Sequence, residues 1–220
     1  MIALPPSVPP TVAEHALAAW RCDTPKDASL PRTLLIADMG EKNTAQRFWV
    51  IDMRNPTHPV LVVRARVAHG SGSDPKRTGY AQRFSNVQDS NETALGAYHV
   101  AERYMEKGIP RYRLDGMSST DFNARARDIV FHASVYVDDD PGGTVGYSEG
   151  CVAVSAQTMQ TIDKRLGVIT GAVLWVDGPG VPVPTCAPAP MQWGETARVC
   201  KSVDSIWQEK RRACRAGLAG

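Results

Sequence analysis

The stretch Tyr147-Ser148-Glu149-Gly150-Cys151-Val152-Ala153-Val154-Ser155 sets one cysteine between a glycine and a short apolar run. His132 lies nineteen residues upstream, closing an apolar run of its own, Ile129-Val130-Phe131. A thiol becomes a useful nucleophile when a base or a positive charge draws off its proton. A neighbouring glycine lets main-chain N–H groups face a developing oxyanion. Thiol, base and pliable backbone in one region point to acyl transfer.

Outward from this stretch the chain reads as strand-rich. Residues 129–132 form a buried strand ending at the histidine, and 138–146 is a polar, Gly-rich loop. Downstream, Ser155 is a credible N-cap for a helix over 156–166, with Gly167 at its C-terminal end. Leu34-Leu35-Ile36, Phe48-Trp49-Val50-Ile51 and Val60-Leu61-Val62-Val63 are apolar runs separated by turn residues, which predicts successive strands in a meander. Further strands fall at 97–102, 112–116 and 172–176, and residues 121–127 read as a short helix. Thr11 is the expected cap of an N-terminal helix carrying Val12, Ala16, Leu17 and Trp20. Residues 184–190 are Pro-rich and precede a helix expected over 199–213. The reading divides the chain into a Pro-rich segment with a short helix (1–32), a catalytic domain (33–178) and a linker with a helical C-terminal appendage (179–220).

With 220 residues the chain is long enough for one substantial core without staples. A net charge of +2 gives no reason to invoke nucleic acid, and Lys210-Arg211-Arg212 reads as a solvated helix face. No apolar stretch approaches the roughly 18 residues of a membrane span. Met1-Ile2-Ala3-Leu4-Pro5-Pro6 lacks a basic n-region and an h-region, so no signal peptide is expected there. The five cysteines Cys22, Cys151, Cys186, Cys200 and Cys214 allow two disulfides with one thiol left over. With Cys151 free, the expected pairs are Cys186–Cys200 and Cys22–Cys214, which would imply an oxidising compartment. The absence of any C-x-x-C pair and the scattered histidines give no metal site, and no cofactor is expected.

The pairing of His132 with Ser148-Glu149-Gly150-Cys151 resembles the catalytic domain of the murein L,D-transpeptidases, in the branch with an S-x-G-C-x-A-V signature. Phe48-Trp49-Val50-Ile51-Asp52, Ala68-His69-Gly70, Arg83-Phe84-Ser85-Asn86, Leu95-Gly96, Arg113-Leu114-Asp115-Gly116 and Tyr136-Val137 follow in that branch's order. The resemblance implies a mainly β, sandwich-like fold with short helices, acting on peptidoglycan in the periplasm or elsewhere outside the cytoplasmic membrane. Cys151 would attack a tetrapeptide stem, release D-alanine and pass the acyl group to an amine of another stem or of a lipoprotein. His132 would be the base, and Gly150 with Cys151 would supply oxyanion donors. Ser148, Tyr136, His69, Arg83 and Asn86 are the candidate substrate contacts. Ser148 also reads as a turn cap, His69 as a strand-end residue, Tyr136 as packing beside the base, and Arg83 and Asn86 as structural groups.

Two departures stand out. Much of the wider family has His-Gly where this chain has His132-Ala133, and Arg or Asn where this chain has Ala153. Both bear on substrate and acceptor choice. The alternatives are an L,D-carboxypeptidase or hydrolase on the same stems, a non-catalytic wall-binding module and an intracellular redox thiol protein.

Overall fold

The apolar runs of the sequence become strands where turn residues bound them. In the computed structural model, residues 2–23 and 32–184 are described. The chain divides into the units Met1–Ala189 and Pro190–Gly220. The second unit lies outside the described residues, and with it the helix expected over 199–213. Cys186, Cys200 and Cys214, and so both expected disulfide pairs, also involve residues outside that range.

Strands β1 (Thr33–Asp38), β2 (Phe48–Asp52) and β3 (Val60–Ala65) form the expected antiparallel meander. Strand β4 (Gly96–Glu106) hairpins into β5 (Ile109–Gly116), which pairs with β6 (Val130–Ala133). Strand β7 (Val152–Val154) lies parallel to β6. The last strand, β8 (Val173–Asp177), runs between β1 and β4 and joins the two groups. The result is one eight-stranded sheet ordered β3-β2-β1-β8-β4-β5-β6-β7.

That sheet curls into a barrel-like form. Bridges Ala68↔Ala153 and Gly70↔Ser148 tie the segment after β3 to the region of β7, at the opposite end of the strand order. Phe48 of β2 stacks on Phe131 of β6 with ring centroids 5.7 Å apart. The sandwich-like expectation thus takes the form of a single sheet whose halves face each other across one core of Leu35, Val50, Tyr98, Leu174, Val152 and Val154.

Helix α1 (Pro10–Asp23) covers the other face, packing Ala16, Leu17 and Trp20 against Leu34, Ile36, Trp49 and Trp175. Apolar cover on both faces explains why β1 and β8 are buried throughout rather than alternating. The helix starts at Pro10, not at a Thr11 cap. Proline suits a first helical turn, where its missing N–H is not needed. Helix α2 (Ala156–Leu166) matches expectation: Ser155 Oγ accepts from the Thr158 amide at 3.0 Å, and Gly167 follows at φ 72°.

Residues 121–127 do not form the expected helix; the chain makes successive turns there. Hydrogen bonds of mixed span replace the regular ladder, such as Ala124 N–H to Asp121 O and Ile129 N–H to Ala124 O. Asn123 is held instead to Asn86, its amide donating to Asn86 Oδ1 and its side chain to Asn86 O, both at 3.1 Å.

Candidate active site

The turn that carries Cys151 is fastened by its own serine. Ser148 Oγ donates to Cys151 O at 2.7 Å and accepts from Gly150 N–H at 3.2 Å. Ser148 is buried and closes the turn, while Gly150 takes φ 110°. A Cβ at Gly150 would stand 2.9 Å from Glu92 O and 3.1 Å from a guanidinium nitrogen of Arg127, so both the dihedral and the space select glycine.

Cys151 is a free, partly exposed thiol. Its Sγ lies 3.9 Å from Asp128 O, its hydrogen bond among the described residues. Asp128 adopts φ 54°, a left-handed conformation. Burial pushes the thiol above its ordinary value, opposed by the Val130 amide and by the charges of Arg111 and Arg127. Glu149 adds to the upward push. At neutral pH the resting sulfur is therefore a thiol, and a base is needed to ionise it.

His132, on the neighbouring strand, is the candidate for that base. Strand register sets His132 beside Ala153, so Cys151, two residues before Ala153, lies one pleat repeat along the same face. The Nδ1–H donates to Ala133 O at 2.9 Å, which assigns the tautomer and leaves Nε2 with its lone pair. Burial lowers the His132 pKa, the Ala133 carbonyl counters this, and the Arg111 charge adds to the lowering. Tyr136 meets the imidazole edge-on, with centroids 6.5 Å apart at 83°.

Beneath the turn sits a buried polar frame. His69 is fully buried, its Nδ1 accepting from Arg47 at 2.8 Å and its carbonyl oxygen accepting from the Ser148 amide at 3.0 Å. Burial first, and then the Arg47 charge, lower its pKa to about 4. Asp74, also fully buried, accepts from the amides of Thr78 and Gly79 and from the Tyr147 hydroxyl at 3.0 Å. Burial raises the Asp74 carboxyl, but those donors outweigh it and leave its pKa below the ordinary value. Tyr147 is thus fixed by its hydroxyl at the start of the turn that carries Cys151. In this conformation His69 offers no surface to a ligand.

The remaining sequence candidates separate. Arg83 is exposed, and its side chain makes no hydrogen bond or ion pair among the described residues. Asn86 is occupied by Asn123, although its Nδ2 is buried without a partner. Cys151, Gly150 and Ser148 share one turn, and His132 lies on the neighbouring strand with Tyr136 against its ring; His69 lies underneath, and Asn86 braces the loop that includes Arg127.

Sequence reading missed three groups near the sulfur: Asp128, Arg127 and Arg111. Arg127 is committed to Ser85 O, Ser90 Oγ and Glu92 O. Arg111 sits on β5 directly opposite His132. Neither cation lies in a motif, and only strand register and loop closure place them. Among the described residues no group of three or more His, Cys, Asp or Glu is arranged to hold a metal ion.

A family model described as the L,D-transpeptidase catalytic domain matches residues 5–175 of the chain. Among solved structures, the chain is similar to an L,D-transpeptidase from Xylanimonas cellulosilytica DSM 15894. The identity is 15%, over 70% of this chain and 63% of that one, with a TM-score of 0.38. Similarity to an L,D-transpeptidase from Mycobacterium smegmatis is 14% identity over 67% of this chain and 59% of the other, with a TM-score of 0.39. For one from Mycobacterium tuberculosis H37Rv the values are 13% identity, 67% and 58% coverage and a TM-score of 0.37. The chain spans less than two thirds of each of these solved chains. No curated protein matches it.

Proposed function

The chain belongs to the L,D-transpeptidase catalytic domain family, and from that premise we propose that it transfers acyl groups between peptidoglycan stem peptides through a thioester on Cys151. The observation carrying this reading is a free cysteine on a glycine-dependent turn, one strand from an imidazole whose Nδ1 is tied down and whose Nε2 is available.

In the proposed cycle His132 Nε2 takes the thiol proton after the sulfur turns from Asp128 O toward the imidazole. The thiolate attacks the carbonyl of the third stem residue, and the tetrahedral oxyanion is held by main-chain N–H groups at Cys151 and Gly150. The Gly150 amide is shared with Ser148 Oγ at rest. Collapse of the adduct breaks the peptide bond, and the imidazolium returns its proton to the departing D-alanine amine. An acceptor amine then attacks the thioester, losing its proton to His132, and the thiolate leaves. Removing one oxyanion donor from such a site costs about 10² to 10³ in rate. Tyr136, beside the imidazole, and the exposed Arg83 are the proposed contacts for the stem.

The setting we propose is extracytoplasmic. Two disulfides among Cys22, Cys186, Cys200 and Cys214, with Cys151 left free, would fit an oxidising compartment. No helix among the described residues is long and apolar enough to cross a membrane.

Incubation with a tetrapeptide muropeptide tests the reading. Free D-alanine and an acyl adduct on the intact protein are expected, and both disappear in Cys151→Ala. D-Alanine release that survives in that variant refutes the nucleophile. Product mass with and without an added amine shows whether the thioester goes to an amine or to water.

A further inference from the structure

We propose that Arg111 binds the terminal carboxylate of the donor peptide, on the D-alanine that departs; this rests on the acyl-transfer reading above. Strand β5 sets Arg111 opposite His132, and β6 sets His132 beside Ala153. Residues directly opposite across paired strands share a face. Arg111, His132 and Ala153 therefore form a row across three strands, with Cys151 on the β7 side. The imidazole stands between the cation and the nucleophile.

The chemistry determines what must occupy that row. When the tetrahedral adduct collapses, the imidazolium gives its proton to the leaving nitrogen, so that nitrogen lies at His132. In D-alanine the carboxylate is bonded to the same carbon as that nitrogen. A leaving group aligned for protonation, and pointing away from the sulfur, therefore carries its carboxylate past the imidazole toward β5. Arg111 is the residue met there, and a planar guanidinium fork suits a carboxylate.

Other cations around the sulfur are already engaged. Arg127 is spent on two carbonyls and a hydroxyl, and Arg113 on Glu102 and Asp128. Arg111 has one ionic neighbour, Glu106 Oε2 at 3.0 Å from its Nε, and that Nε makes no well-formed hydrogen bond. The Arg111 side chain is 24% exposed against 46% for Glu106, so a partly desolvated cation leans on a solvent-screened partner. Its remaining N–H groups have no partner among the described residues. The Arg111 charge also acts on both reacting groups, lowering the pKa of Cys151 and of His132. An arriving carboxylate would offset that second effect and strengthen the base once the donor is seated.

The test compares two synthetic tetrapeptide donors, one ending in a free carboxylate and one in a carboxamide, on the full chain. Intact mass reads acylation of Cys151, and D-alanine or D-alaninamide release gives kcat and KM. Wild type favours the free acid by roughly 10- to 100-fold, mostly in KM, the scale of a hydrogen bond to a charged group. Arg111→Gln loses that preference. Arg111→Lys keeps the charge without the fork and shows an intermediate preference; it carries the decision should Arg111→Gln fail to fold. Glu106→Gln retains the full preference. A wild type indifferent to amidation, or an Arg111 variant that discriminates as well as wild type, overturns the assignment while Cys151 is still acylated. No acylation of wild type by either donor overturns the acyl-transfer reading and this inference with it.

Discussion

At the residue scale, the two side chains proposed to react are tuned apart. Burial raises the Cys151 thiol and lowers the His132 imidazolium, so the resting pair is neutral. A neutral pair works only while the imidazole stays unprotonated, and protonation is held off to a pH below the ordinary histidine value. The acid limb of kcat/KM for the proposed reaction is therefore expected below pH 6.5. A rate profile with saturating buffer checks this, and an acid limb well above 6.5 would contradict the tuning. Cys151 and His132 were legible as candidates because a motif supplies both. Asp128 and Arg111 were not, because nothing in their immediate neighbours marks them.

At the element scale, the turn from Tyr147 to Cys151 owes its shape to groups outside it. Its inner face rests on His69, whose imidazole is kept neutral first by burial and then by the Arg47 charge beside it. The folded-state pKa, about 4, lies below the ordinary 6.5. The unfolded chain therefore binds this proton first, and stability falls as pH drops from about 6.5 to about 4. The contribution at stake is on the order of 3 kcal/mol. Denaturant midpoints across that range measure the loss, and His69→Gln, which removes the titrating group, should flatten it. An equally steep loss in His69→Gln would place the acid sensitivity elsewhere. His69 reads from sequence either as a substrate contact or as a strand-end residue; local sequence shows its glycine neighbour but not the arginine twenty-two residues away that fills its Nδ1.

At the scale of the whole molecule, the sheet is covered on both faces by different means. Its inner face closes on itself, bringing Phe48 against Phe131. Its outer face depends on α1, which shields Trp49 and Trp175 and bonds His15 Nδ1 to Asp177 Oδ2 at 2.8 Å. Removal of residues 2–23 is thus expected to bare a contiguous apolar face. The truncated protein should bind an apolar dye such as ANS, melt at least 10 °C lower and aggregate, given that each kcal/mol is worth about 2–4 °C at this size. A truncated protein with an unchanged melting temperature would show that the helix is dispensable to the core.

The sequence by itself determined most of the elements and singled out the candidate pair Cys151 and His132. Strands at Leu34-Leu35-Ile36 and Phe48-Trp49-Val50-Ile51 and the Ser155 cap follow from local pattern and propensity, and the candidacy of Cys151 and His132 follows from a motif. Only the tertiary structure decided that β8 enters between β1 and β4, that residues 121–127 forgo a helix for the bonds between Asn123 and Asn86, and that Arg111 stands opposite His132. The physical reason is range. Propensity, capping and turn geometry act over a few residues, whereas register, burial of charge and closure of the sheet depend on groups far apart in the chain that meet only when the core forms.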